Sequence, residues 1–283
     1  MSESMENIKL TDAEIAEIQR QALAKLGECK KTQDIIGQQI FPILCRYARV
    51  FYYPLGKEGP WGITYMAGME NTAPSEKPFV AINTSIPIDA QVFAAAHELY
   101  HIWYDQKAEA LSASILDEHN GYGKPTDLSE LKANRFAAEF LVNEDLLHSE
   151  MKLYSITPGK ITIKHILTLA SLFTVPYKTM VKRLYEISAI SYEERCEYLR
   201  KNEGTINQLR KRFSIPVPET DRRITLDNLV DIAVSCYEKR QISYEKLEYL
   251  LSISNLKPGD VGISRPDVFI PPSDDELDDI MEE

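Results

Sequence analysis

His97-Glu98-Leu99-Tyr100-His101 lies within Ala90 to Tyr104, a run that contains neither proline nor glycine. A run of that kind reads as helix, and two histidines four apart on a helix stand on one face, about one turn from each other. Both imidazoles can then reach a single metal ion, and Glu98 projects beside them, placed to work on a water held by that ion. The apolar side of the same helix is Val92, Phe93, Ala96, Leu99, Tyr100 and Trp103. Pro87 and Ile88 precede it, and Asp89 is the expected N-cap.

A hydrolytic metal site needs three protein ligands and one open position. The third should come from a helix C-terminal to the first two. Leu128 to Val142 is the strongest helical pattern downstream and carries Glu130 and Glu139, with Glu109 and His119 nearer in sequence. Glu130 and Asn134 are four apart and share a face. Glu139 follows Glu130 by nine residues, about half a turn out of phase, so both glutamates cannot face one ion. Asn134 could stand behind a ligand or tie its helix to a loop. Glu130 could also close a capping box with Asp127.

The chain upstream changes character once. Thr11 to Glu14 has a capping-box pattern and opens a helix to about Lys25. A second helix runs from about Asp34 to Ala48, with Pro42 either kinking it or marking its first turn. Val50 to Tyr53, Gly62 to Met66 and Phe79 to Asn83 are short, aromatic and β-branched, and Gly and Pro separate them. They predict a small antiparallel sheet. A short helix is expected over Lys107 to Asp117, and a Gly-rich connection over His119 to Thr126. Past Asn143 the pattern is helical: Asn143 to Met151, Ile161 to Phe173, Tyr177 to Ile187, Ser191 to Phe213, Thr225 to Lys239 and Ser243 to Ile253. Pro216-Val217-Pro218 reads as a linker, Leu256 to Asp260 as a turn.

The two motifs together resemble the ImmA/IrrE metallopeptidases. The residues that carry the resemblance are His97-Glu98-Leu99-Tyr100-His101 and Glu130-Leu131-Lys132-Ala133-Asn134-Arg135-Phe136-Ala137-Ala138-Glu139-Phe140-Leu141. In that family the first Glu of the second motif is the third zinc ligand, which carries over to Glu130. The sequence departs from the family at Tyr100, where members often have Gly, and at Val92-Phe93-Ala94, where many have Arg-Phe-Thr. The resemblance implies an α+β, zincin-like metallopeptidase fold with a small antiparallel sheet and an active-site helix, followed by helical modules. It also implies a Zn2+ site of His97, His101 and Glu130 with Glu98 as general base. The implied activity is that of an endopeptidase. Its implied substrate is a partner protein, a helix-turn-helix repressor in mobile-element or stress regulation. The alternative is a non-proteolytic regulator of the same fold that binds a repressor or DNA.

The expected domains are a metallopeptidase domain over 1–150, a helix-turn-helix-like module over 151–215, a small helical module over 216–270 and an acidic, disordered tail over 271–283. From Lys160 to Arg223 there are 13 Lys and Arg against 7 Asp and Glu. DNA contact through Lys178, Lys182 and Arg183 therefore has a basis in charge. A packed helical module or a protein-docking surface is favoured, because no base-reading side chains can be identified.

The whole chain of 283 residues carries a net charge of -11, which opposes a protein-wide attraction to nucleic acid or anionic membrane. No apolar run approaches the ~20 residues that span a bilayer. The N-terminus is polar, without a signal-peptide core, and the four cysteines form no C-x-x-C pair. A cytoplasmic location with reduced thiols is expected. Candidates to steady a transition-state oxyanion are Tyr65, Tyr100, Tyr104, His119 and His148, and nothing in the sequence selects among them. His165, in an apolar helical run, reads as structural.

Overall fold

The computed structural model describes residues 9–66, 77–105, 112–114, 128–226 and 228–265, with the backbone alone for 112–114. The chain forms two compact units, Met1–Asp227 and Asn228–Glu283.

The first unit is α+β. Its sheet has five strands: β1 (Arg49–Tyr53), β2 (Gly62–Tyr65), β3 (Phe79–Asn83), β4 (Ser112–Ser114) and β5 (Thr225–Leu226), in the spatial order β4-β2-β3-β1-β5. The expected strands are present, but the sheet is mixed and not wholly antiparallel. β1 and β3 run parallel, Val50 opposite Val80 and Tyr52 opposite Ile82. The cause is the path of the chain. It leaves β1, reverses into β2, and returns as β3 in the gap between them. Since β3 is antiparallel to β2, it must be parallel to β1. The expected helix over Lys107 to Asp117 is also corrected at the part described: Ser112–Ser114 is β4, paired antiparallel to Gly62–Thr64 of β2. Pairing along an open sheet edge satisfies backbone groups that local preference alone would leave to a helix.

Period-two burial sets the faces of the sheet. Val50, Tyr52, Val80 and Ile82 are buried, on the side where the helices α2 (Ile40–Tyr47) and α3 (Ile88–Tyr104) pack. On the other face Phe51 and Phe79 stack with ring centres 5.4 Å apart. A 3-10 turn, Gly37–Gln39, leads into α2, and Pro42 falls in the first turn of α2, where a missing N–H costs little. The first helix, α1 (Asp12–Glu28), has the expected capping box between Thr11 and Glu14.

α3 is buried on all sides from Asp89 to His101, as a helix enclosed by sheet and other helices must be. Its N-cap is Pro87, not Asp89. The Ile88 N–H donates to the Glu219 carbonyl at 3.0 Å, and the helix starts two residues earlier than a cap at Asp89 would place it. Asp89 sits in the first turn and accepts from the Ala90 N–H at 2.9 Å, where a carboxylate complements the helix dipole.

Against α3 lies α4 (Leu128–Leu141), with α5 (Glu144–Leu153) capped by the Asn143 side chain. Small residues on both partners, Ala94 to Ala96 and Ala133, Ala137 and Ala138, are buried in this region and permit close helix approach. Tyr100, Trp103 and Tyr104 meet Phe136 with ring centres 5.6–5.8 Å apart. Each such aromatic pair contributes roughly 0.5–1.5 kcal/mol beyond its burial, which pins the axial register of α4 on α3.

Among the described residues four further helices complete the unit. α6 (Ile163–Phe173) and α7 (Tyr177–Glu186) turn at Thr174, which takes the left-handed conformation. The Ser191 to Phe213 stretch is two helices, α8 (Tyr192–Leu199) and α9 (Glu203–Arg212), because Asn202 caps α9. One hydrophobic core runs from Ile18 through Leu147, Met151 and Leu184 to Ile206, so the expected boundary at 150/151 falls inside this unit. The expected linker at Pro216-Val217-Pro218 is a strap. Past it the Arg222 N–H donates to the Thr84 carbonyl at 3.1 Å, and the Thr84 hydroxyl donates to the Arg223 carbonyl at 2.9 Å. The Arg223 guanidinium lies 3.8 Å from the Tyr52 ring centre, and Thr225–Leu226 then pairs with β1. The helix expected from Thr225 therefore begins only at Leu229.

The second unit holds α10 (Leu229–Glu238), α11 (Tyr244–Ile253) and a 3-10 turn at Pro258–Val261, around Ala233, Leu247 and Leu251. The tail over 271–283 lies outside the described residues.

Candidate metal centre

α3 and α4 bring His97, His101 and Glu130 together. One ligand atom from each lies within 4.8 Å of the others, a cluster that could hold a metal ion. The two Nε2 atoms are 3.1 Å apart. His97 Nε2 is 3.2 Å from Glu130 Oε2, and His101 Nε2 is 3.4 Å from Glu130 Oε1. Both imidazoles are out of water, while Glu130 is partly exposed.

The other nitrogen of each ring decides what the pocket needs. His97 Nδ1 meets the Asn134 side-chain oxygen at 2.9 Å, and His101 Nδ1 meets Asp105 Oδ2 at 3.1 Å. Each acceptor requires the proton on Nδ1. Both Nε2 atoms then offer lone pairs, to each other and to a carboxylate. Four electron-rich atoms facing one point are stable only around a cation. Without a metal the same demand appears as a proton. Burial works to lower the pKa of His101, but the hydrogen bonds to Glu130 and Asp105 and the charges of Glu98 and Glu130 outweigh it and push the pKa up to about 9. The donor set, two neutral imidazoles and one carboxylate, suits a zinc ion.

Glu98 is fully buried beside this cluster, and burial raises its pKa above the usual carboxylate range, against the pull of the two histidines. The Thr64 hydroxyl donates to Glu98 Oε2 at 2.6 Å. Gly62, two residues earlier on β2, faces the same side chain. A Cβ at Gly62 would stand 2.9 Å from both Cγ and Cδ of Glu98, too close for real atoms. β2 therefore shapes the seat of Glu98 with one absent side chain and one hydroxyl.

Residues 47–185 match the family model of the IrrE N-terminal-like domain, from the approach to β1 through nearly all of α7. Residues 47–185 are an IrrE N-terminal-like domain. No curated protein and no solved structure matches the chain. The family is one of metallopeptidase-type domains, and the match takes in both motifs of the cluster.

Within the IrrE N-terminal-like domain the remaining expected residues separate. Glu139 faces away from the cluster, as its phase on α4 requires. It binds Arg183 of α7, with Arg135 and Gln19 beside it. Tyr100 and Tyr104 are built into the aromatic contact with Phe136. Tyr65 is half exposed at the end of β2. His148 sits 3.8 Å from Glu144 on the surface of α5. His165 closes a capping box with Thr162, which is a structural duty. Glu109, His119 and Asp127 lie outside the described residues.

Sequence reasoning missed Asp105, Thr64 and Gly62. Asp105 had a signal: it is four residues past His101, on the same helix face. Thr64 and Gly62 had none, because their approach to Glu98 depends on how the sheet packs on α3. No helix among the described residues is long and apolar enough to cross a membrane.

Proposed function

We propose that this protein is a zinc-dependent endopeptidase that cleaves a partner protein at a specific site, and that the partner is a helix-turn-helix transcriptional repressor. The observation that carries the catalytic part is the convergence of His97 Nε2, His101 Nε2 and the Glu130 carboxylate beside buried Glu98. His97, His101 and Glu130 hold the ion, and Asn134 and Asp105 orient the two rings. Zinc, when bound, supplies positive charge that acidifies a water and polarises the scissile carbonyl. Glu98 takes the proton of the attacking water and returns it to the departing amine. The Thr64 hydroxyl donates to Oε2 of Glu98 and orients the carboxylate. The choice of partner rests on the family resemblance alone.

Both histidines and Glu98 have almost no exposed surface, which supports selective cleavage over general digestion. The test is Glu98→Gln in the full chain, with zinc content and cleavage of the candidate repressor measured together. Zinc is expected to remain and cleavage to vanish. Undiminished cleavage by Glu98→Gln would overturn the mechanism. Function in cells without cleavage would favour a non-proteolytic regulator.

A further inference from the structure

A second site lies at the other end of α3. A cavity of about 460 Å3 is walled by Trp61, Phe93, Tyr177 and Ile206, with Asp89 and Arg210 among its polar residues. That size is within the range of small-ligand sites. Its walls are fixed ones: Trp61, Phe93, Tyr177 and Ile206 are each at most 8% exposed. It is distinct from the metal cluster, none of whose residues lines it.

Three features give the cavity a preference for negative charge. Its lining holds four basic residues, Lys178, Arg200, Lys201 and Arg210, against two acidic ones, Asp89 and Glu203, in a chain whose net charge is -11. The N-terminal turns of α3, α7 and α9 all end on it, through Pro87, Pro176 and Asn202 and the residues that follow, and helix N-termini attract anions. Arg210 is only 2% exposed. Among the described residues its guanidinium makes one hydrogen bond, from Nη1 to the Pro216 carbonyl at 2.9 Å. Guanidinium has five N–H donors, and no Arg210 nitrogen is among the buried atoms left without a partner, so its unbonded donors open onto accessible space where an anion can accept them. Burial pushes its pKa down and the charge of nearby Asp89 works against that; a guanidinium keeps its charge in proteins.

We propose that this cavity binds a small amphipathic anion, an aromatic or branched apolar body carrying a phosphate or carboxylate, with the anionic group on Arg210 and the helix N-termini and the body against Trp61, Phe93 and Tyr177. The wall is shared with the metal centre. Phe93 is one helical turn ahead of His97, and Trp61 directly precedes Gly62, which seats Glu98. Occupancy is therefore placed to bear on the geometry of both.

The experiment titrates the metal-loaded full chain with phenyl phosphate, followed by calorimetry and by tryptophan fluorescence. Trp61→Phe shows whether the optical signal arises in the cavity and not at Trp103. Inorganic phosphate and benzyl alcohol supply the anion and the ring separately. Saturable binding of phenyl phosphate is expected, at least about tenfold tighter than either half alone, because both regions of the cavity are engaged. Arg210→Gln and Arg200→Gln are each expected to weaken it by about tenfold, the scale of one charged hydrogen bond. Arg200 is exposed, so Arg200→Gln keeps the test decisive where loss of Arg210 unfolds the chain. No saturable binding of phenyl phosphate, equal binding of benzyl alcohol, or unchanged affinity in Arg200→Gln would each overturn the proposal. The readout is binding, so failure of the peptidase mechanism does not alter it.

Discussion

Arg183 of α7 and Glu139 of α4 meet with both side chains out of water, Nη1 to Oε1 at 2.9 Å and Nη2 to Oε2 at 2.8 Å. Arg183 Nε also donates to the Val142 carbonyl at 3.1 Å, and its Nη1 donates to Glu186 at 2.6 Å. Arg135 joins both acids from α4. The network fastens the back of α4 to α7, while the front of the same helix presents Glu130 and Asn134 to the histidines. Arg183 is thereby buried and committed within the fold, and is not a cation displayed to DNA.

Removing Arg183 leaves Glu139 buried without its main counter-charge. Arg183→Ala is expected to destabilise the first unit by about 3–5 kcal/mol, the usual cost of breaking a buried ion pair from one side. Chemical denaturation measures it. Double replacement, Arg183→Met with Glu139→Leu, should recover much of the loss, since an apolar pair carries no unpaid desolvation. A single substitution costing under 1 kcal/mol would show that water already serves the pair.

The helices that build the site were legible because each announces itself locally. The H-E-x-x-H spacing, the capping box at Thr11, and the phase difference between Glu130 and Glu139 all depend on residues within a few turns. What stayed hidden depends on contacts between distant segments. The parallel pairing of β1 with β3 follows from where β2 goes, not from any strand's composition. Ser112–Ser114 became a strand because the edge of β2 lay open to it. The strap at Pro216–Pro218 has a linker's composition, yet the Thr84 and Glu219 backbone contacts give it a place. Gly62 read only as the start of a strand, and its use is the room it leaves for Glu98.

Asn134 holds His97 through Nδ1 at 2.9 Å. Asn134→Ala would bury that N–H without an acceptor and free the ring to turn. Zinc affinity is expected to fall by roughly 10–100-fold, the usual effect of losing a partner behind a metal ligand. Asn134→Asp keeps an acceptor and should retain most of the affinity. Competition against a chelator of known strength reads both. Equal affinity in Asn134→Ala and the wild type would remove Asn134 from the site.

Lys182 offers a test by pH. Burial pushes its pKa down from 10.5 to about 7, with Arg195 adding to the effect and Glu186 opposing it. In the unfolded chain the ammonium keeps its proton to about pH 10. Between about pH 7 and 10 the unfolded state thus binds more protons, and this group makes stability rise with pH. Below about pH 7 the group is charged in both states, and its full penalty applies. Lys182→Met should remove this dependence, so the variant's advantage over wild type is largest near pH 6 and shrinks towards pH 10. Urea midpoints at three pH values measure it. A constant difference across that range would place the Lys182 ammonium in water.

Gly62 makes the sharpest separation between binding a metal and using it. It stands on β2 against Glu98, two residues from Thr64, whose hydroxyl holds Glu98 Oε2 at 2.6 Å. A methyl group at Gly62 would collide with the Cγ and Cδ of Glu98, a side chain with no exposed surface. Glu98 must then move, and a displacement near 1 Å costs on the order of a hundredfold in rate. His97, His101 and Glu130 come from α3 and α4, not from β2. Gly62→Ala is therefore expected to keep its zinc and its thermal midpoint within a few degrees while cleavage falls by about a hundredfold. Thr64→Val should show the same split more mildly, because it removes one hydrogen bond without adding bulk. Metal analysis, thermal melts and repressor cleavage on the same preparations provide the comparison. Zinc lost in step with activity in Gly62→Ala would mean that β2 supports the metal cluster itself and not the placement of Glu98.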